Sequence, residues 1–145
     1  MSSFEFNASG VTSKRLSQVR SSRGWMETKL AKELWHRGIR YRRNYRKLPG
    51  SPDIAITKYK IAVFVDGEFW HGYEWAINKQ KIKKNREYWI KKIENNMKRD
   101  LKTDEELNNM GWKVMHFWFN DLKKYFYGCV NDILDEVLQR MINDS

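Results

Sequence analysis

Residues 48–72 read LPGSPDIAITKYKIAVFVDGEFWHG, and the order of physical properties along them decides the fold. Two short runs rich in β-branched and apolar residues, 54–57 and 61–65, are separated by Lys58, Tyr59 and Lys60. That is the pattern of a β-hairpin whose second strand is buried. Leu48-Pro49-Gly50-Ser51-Pro52 supplies a turn ahead of the first strand. The hairpin sets Asp53 at the start of one strand, and Asp66 and His71 just beyond the end of the other. A carboxylate and an imidazole at one edge of a sheet suit a metal-dependent hydrolase.

Working outward, 145 residues with 41% hydrophobic content fit one domain with a bulky aromatic core. The expected organisation is a mobile arm over residues 1–12 and a single domain over 13–145. Lys and Arg number 28 against 18 acidic residues, a formal net charge of +10. Such a balance points to a polyanion, because phosphate contacts release condensed counterions. No long apolar segment or signal-like start is visible, so no membrane role is expected and a cytoplasmic location is. The single cysteine, Cys129, excludes an internal disulfide and a Cys-rich zinc module.

Residues 12–23, TSKRLSQVRSSR, read equally as a short helix with one apolar edge or as a solvated basic arm. A helix follows over 25–37, with Leu30/Leu34 and Ala31/Trp35 as i,i+4 pairs and Gly38 as its stop. The segment 39–48, IRYRRNYRKL, reads as a strand with a basic face, and its arginines and tyrosines suit backbone contact and base stacking. Residues 73–84 form a polar, basic loop or short helix. A long helix over 85–109 shows Trp89, Ile93, Met97 and Leu101 at every fourth position, with a break expected near Lys102 from the capping-box spelling of residues 103–106. Residues 112–119, WKVMHFWF, predict a third strand buried on both faces, and Val130 to Ile142 an amphipathic terminal helix. The sum is an α/β fold, a mixed sheet flanked by helices.

Four side chains could carry chemistry. Asp53 opens an apolar strand, a costly place for a charge unless a cation compensates it; the alternative is a turn-capping aspartate. His71 beside aromatics could serve as acid or base near neutral pH, although a lone histidine is usually structural. Glu27 lies in the first turn of a helix, where the dipole alone would explain it. Spacing does not select Asp100. Phosphodiester hydrolysis asks for a neutralised phosphate and an activated water, which Mg²⁺ on hard oxygen ligands supplies. Asp53 and a backbone carbonyl near Val65 could hold such an ion. The acidic-x-Lys pair of many nucleases is absent from the second strand, so the histidine must replace it.

The text RLSQVRSS (15–22), Glu27, GIRYR (38–42), LPGSPDI (48–54), VFVDG (63–67), FWHG (69–72), YWIKKI (88–93), Asn96, Arg99-Asp100 and GWKV (111–114) with Trp118 resembles the very-short-patch repair (Vsr) endonucleases. These are a branch of the restriction-endonuclease-like, PD-(D/E)xK fold. The resemblance covers about residues 13–120, and LPGxPD followed by DGxFWHG is specific. It implies that Asp53 binds metal with the Val65 carbonyl, that His71 is the active-site histidine, and that Glu27 and Asp100 complete the site. It also implies that Phe69, Trp70 and Trp89 wedge into DNA beside a mismatch; core packing is the alternative. Many members bind a structural zinc through Cys and His near these segments. Here those places hold Glu68, Tyr73, Trp75 and Asn120, so no zinc is expected, with packing of Tyr73 and Trp75 in its place.

The expected activity is a Mg²⁺-dependent nick in one strand of double-stranded DNA beside a T:G mismatch. Lys14, Arg15, Arg20, Arg40, Arg42 and Arg43 are the expected phosphate contacts, and mismatch-repair proteins or a cytosine methyltransferase system the possible partners in a bacterial cell. One rival is a restriction or homing-type endonuclease cutting intact duplex; another is a non-catalytic DNA-binding module.

Overall fold

The structure, a computed structural model, describes residues 13–144, with side chains described from residue 24 onward. The arm expected over 1–12 lies outside the described residues. The elements run α1 (Ser13–His36), β1 (Arg42–Arg43), β2 (Ile54–Ile56), β3 (Ile61–Asp66), α2 (Glu68–His71), α3 (Trp75–Asn78), a 3₁₀ turn (Lys79–Lys81), α4 (Arg86–Asn109), β4 (Lys113–Trp118), α5 (Phe119–Lys124) and α6 (Phe126–Asn143). The four strands form one sheet in the order β1-β2-β3-β4. β2 and β3 are the expected hairpin, antiparallel with Ile54 opposite Val63. β4 lies parallel to β3, so the chain must cross over between them, and α4 makes that crossing.

Alternation along the strands sorts the core into two faces. Ile54, Ile56, Ile61, Val63 and Val65 pack against Leu30 and Leu34 of α1 and Val130, Ile133 and Val137 of α6. Ala55 and Ala62 face the other way, onto Leu107 of α4 and Trp112, with Phe64 and Val114 beside them. A third cluster joins Phe69, Ile82 and Ile93, with Trp70, Trp89 and Met97 around it.

Several expectations are corrected. The basic stretch and the helix after it are one continuous α1, because Gly24 costs a helix only about 1 kcal/mol. Of the strand expected over 39–48, only Arg42 and Arg43 pair; Asn44 and Tyr45 instead donate their N–H groups to the carbonyls of Asp53 and Pro52, both at 3.0 Å, which binds the turn before β2. α4 runs unbroken through Lys102. β4 is a sheet edge, with no fully buried residue. Leu101 is 71% exposed, because each four-residue step along a helix overshoots a turn by about 40° and three steps carry it off the packed face. Trp35 is half-exposed and instead stacks under the Arg40 guanidinium, 3.6 Å from the ring centre. Leu138, Met141 and Ile142 are exposed too, so α6 buries only the apolar positions of its first part.

Where the resemblance led to zinc-ligand positions, the chain makes hydrogen bonds. The backbone N–H and the Nδ2 of Asn120 donate to the two Glu68 oxygens at 3.0 and 2.8 Å. Tyr73 meets Trp118 edge-on, with centroids 5.1 Å apart, while Trp75 Nε1 donates to Glu94 at 3.0 Å. Glu68 is buried, and burial raises its carboxyl to about 7; the Asn120 bond opposes this, and the charge of Asp121 adds to it.

Two predictions follow from this packing. Gly72 closes α2 in the left-handed region, φ +73, and a Cβ there would collide with the Met97 sulfur. Gly72→Ala should therefore cost about 1–3 kcal/mol in urea unfolding, from backbone strain and overpacking; an unchanged midpoint would refute the packing. Glu68 binds its proton more tightly folded than unfolded, so its stabilisation is complete below the ordinary value of 4.5 and is lost as pH rises through about 7. Glu68→Gln cannot titrate. The melting temperature of the natural chain relative to this variant should fall by a few degrees from about pH 5 to about pH 8. A difference independent of pH would show that the carboxyl is not held this way.

Candidate active site

The site begins with the turn before β2. With its carbonyl bound by the Asn44 N–H, Asp53 turns its carboxylate toward β3, where the Val65 N–H donates to Oδ2 at 2.7 Å. Gly50, at φ +75, brings the same turn against Thr103 and the Phe64 ring, where any side chain would collide. An ion held by Asp53 and the Val65 carbonyl would find hard oxygen donors, and Mg²⁺ takes one or two carboxylates while keeping several waters. No group of three or more His, Cys, Asp or Glu among the described residues is arranged as a metal cage.

β3 passes into α2 through one residue, Gly67, and α2 ends on His71. This short path brings the imidazole back over the sheet toward α4. His71 Nδ1 lies 2.5 Å from Asp100 Oδ2. A carboxylate accepts, so this bond places the proton on Nδ1 and leaves Nε2 to act as an acceptor. Asn96, one turn earlier on α4, donates to the Trp70 carbonyl at 3.1 Å and pins α2 to the same helix. Two residues expected separately, His71 and Asp100, are one dyad.

Three further residues went unselected in the sequence. Asp66, the last residue of β3, is almost buried, with Oδ2 2.7 Å from His116 Nδ1 and Oδ1 4.0 Å from His71 Nε2. His116 Nε2 in turn meets Asp104 Oδ1 at 2.7 Å, and its ring stacks on Phe64 with centroids 4.9 Å apart. Burial works hardest on His116 and opposes its charge. The bonds and charges of Asp66, then of Asp104, outweigh it and hold the imidazole up at about 9. Asp66, His71, Asp100, Asp104 and His116 line one cavity of about 220 Å³, with Arg99 at its wall. In the sequence Asp66 marks the end of the hairpin and part of the 63–67 text without a role of its own, and His116 lies inside an apolar run, so only its polarity within WKVMHFWF could have drawn notice.

Glu27 is buried on α1. Arg42 and Arg43 are exposed on the edge strand, and the Arg40 side chain reaches back to the Trp35 carbonyl at 3.1 Å. The side chains of Lys14, Arg15 and Arg20 lie outside the described ones, although the backbone places all three on α1. Phe69, Trp70 and Trp89 form one edge-to-face trio with centroids 5.2–5.8 Å apart. Phe69 is buried in it; Trp70 and Trp89 are half-buried, and Tyr88 beside Trp89 is exposed. An open groove of about 690 Å³ along α4 adds Lys79, Arg86, Lys91 and Lys98 to the basic surface.

Comparison with known proteins gives the chain a family. The family described as DNA mismatch endonuclease Vsr matches residues 8–77. The Type II nicking enzyme V.NmeDIP of Neisseria meningitidis serogroup C is 46% identical over 125 residues, covering 86% of this chain and 84% of its own. The Type II nicking enzyme V.HpaIIP of Haemophilus parainfluenzae is 51% identical over 98 residues, 68% of this chain and 70% of its own. The DNA mismatch endonuclease Vsr of Escherichia coli (strain K12) is 32% identical over 93 residues, 64% of this chain and 59% of its own. With a mixed sheet between helices and a carboxylate–imidazole site at the end of its hairpin, the chain belongs to the Vsr family and is a DNA endonuclease.

Proposed function

We propose that this endonuclease nicks one strand of a duplex beside a T:G mismatch, with Mg²⁺ held by Asp53 and the Val65 carbonyl. The observation that carries the reading is the His71–Asp100 dyad, at 2.5 Å, formed just past the end of β3, the strand whose Val65 N–H anchors the Asp53 carboxylate. When bound, the ion supplies charge neutralisation at the scissile phosphate. Asp100 keeps the His71 proton on Nδ1, so Nε2 can take a proton from the attacking water as its oxygen bonds to phosphorus. The bond to the leaving oxygen then breaks, and that oxygen carries away the electron pair. Arg99, at the cavity wall, is placed to meet the phosphate from the solvent side. Glu27 completes the acidic set from α1.

Lys14, Arg15, Arg20, Arg40, Arg42 and Arg43 would bind phosphates along the strand, a sequence-independent term sensitive to salt. The family's description and the Escherichia coli relative, both named for mismatch endonuclease activity, support the choice of substrate. So does the aromatic trio, in which Phe69 and Trp70 directly precede His71 in the chain and Trp89 of α4 packs against both. Unstacking a base step costs a few kcal/mol and least at faulty pairs, and base–aromatic stacking returns about 1–3 kcal/mol per base.

Strand nicking of matched and T:G-mismatched duplexes, in Mg²⁺ and in EDTA, tests this reading. Nicking should need Mg²⁺, favour the mismatch, and vanish in Asp53→Ala, while His71→Ala should lose about 10²- to 10⁴-fold in rate. Equal double-strand cutting of both duplexes would overturn the substrate assignment.

A further inference from the structure

We propose that Asp66 is a second catalytic carboxylate, which grips the attacking water together with His71, and that His116 and Asp104 are the positioning pair that aims it. This rests on the reading of His71 as the group that takes the proton.

The distances around Asp66 separate two kinds of contact. Oδ2 is closed on His116 Nδ1 at 2.7 Å. Oδ1 stands 4.0 Å from His71 Nε2, too far for a hydrogen bond. The remaining nitrogen of each ring is already engaged, His71 Nδ1 with Asp100 and His116 Nε2 with Asp104. The result is a continuous row, Asp104–His116–Asp66 and His71–Asp100, with one opening between Asp66 and His71. Two hydrogen bonds of about 2.7–2.8 Å meeting near a right angle span such a gap, so one water fits between the two acceptors. That opening faces the cavity lined by Arg99. A water held there gives one O–H to Nε2 and the other to Oδ1, and turns its lone pairs outward.

In the reaction, the water oxygen bonds to phosphorus, its first proton moves to His71 Nε2, and the leaving oxygen departs with the bonding pair. Asp66 neither gains nor loses a proton in this step; it orients the water and favours the imidazolium that forms. A nearly buried carboxylate left to itself would be costly to ionise and free to turn. His116 removes both problems, because its ring is fixed by stacking on Phe64 and by Asp104 at the far nitrogen. The role of His116 is thus exerted through Asp66 alone.

The test is single-turnover nicking of the best-cut duplex by Asp66→Asn, His116→Gln, His116→Leu and Asp66→Asn/His116→Leu, with His71→Ala alongside. DNA affinity measured in EDTA and thermal unfolding report on folding and binding. Asp66→Asn should lower the rate constant by about 10²-fold with affinity unchanged. His116→Leu should lower it about ten-fold, His116→Gln less, because an amide can still donate to Asp66. Adding His116→Leu to Asp66→Asn should change nothing further. Nicking by Asp66→Asn within two-fold of the natural chain would overturn the proposal, as would a His116→Leu loss that multiplies fully with it. Should His116→Leu fail to fold, the isosteric Asp66→Asn and the His116→Gln variant decide the same question. If His71→Ala nicks normally, the underlying reading fails; if it is inactive while Asp66→Asn is fully active, this inference alone fails.

Discussion

The hydrogen bond from the Val65 N–H to the Asp53 carboxylate ties the two strands of the hairpin at the point where their chemistry meets. A slip of one residue between β2 and β3 would turn every side chain to the opposite face. Asp66 would then enter the layer of Ile61, Val63 and Val65, against α1 and α6. In the register observed, Asp66 continues the face of Ala62 and Phe64, toward α4. The parallel pairing with β4 extends the same order, setting His116 beside Phe64 and Trp118 beside Asp66. Position along three strands thus determines which imidazole meets which carboxylate.

α4 is the complementary constraint. Asn96, Asp100 and Asp104 follow one another at four-residue intervals, so they form a single stripe along the helix. Each holds a different part of the site: the Trp70 carbonyl, the His71 ring and the His116 ring. A rigid helix carries these anchors, so α2 and β4 are positioned relative to each other without touching directly through those bonds. The two tight glycines belong to the same interface, Gly50 against Thr103 and Gly72 against Met97. Small residues here let the backbone of the turns beside Asp53 and His71 approach the helix.

The hairpin was legible because its evidence is local: strand formers in two runs, turn residues ahead of the first, a lysine-tyrosine-lysine turn between. Asp53 and His71 could be singled out from their places at the ends of the hairpin, whereas Asp100 rests on motif text alone, because spacing offers nothing for it. Its partner lies 29 residues away in the chain. His116 was missed for a related reason. Its run reads as core, and its polarity is explained only by Asp66, 50 residues earlier. Apolar patterning also overstated burial in β4 and at Leu101, since a pattern records what could be covered, and the number of neighbouring elements decides what is. The tie between Glu68 and Asn120 was invisible on the same grounds: absent zinc ligands say nothing about what replaces them.

Charge explains why these groups are paired so closely. The chain carries a net +10, suited to a polyanion, yet the cavity gathers Asp66, Asp100 and Asp104 on its walls. A phosphodiester entering there meets carboxylates at short range, where the low local dielectric strengthens repulsion. His116, held up at about 9 by Asp66 and Asp104, is engaged with those two carboxylates and acts on the site through Asp66. Arg99 contributes from the rim, but it is already donating to Asn96 at 2.6 Å. The cavity carboxylates and the phosphate itself together exceed what these two cations offset. On the reading proposed above, that remainder is what a divalent cation neutralises. The same carboxylates that repel an unaccompanied phosphate then become the means of admitting it only with its ion.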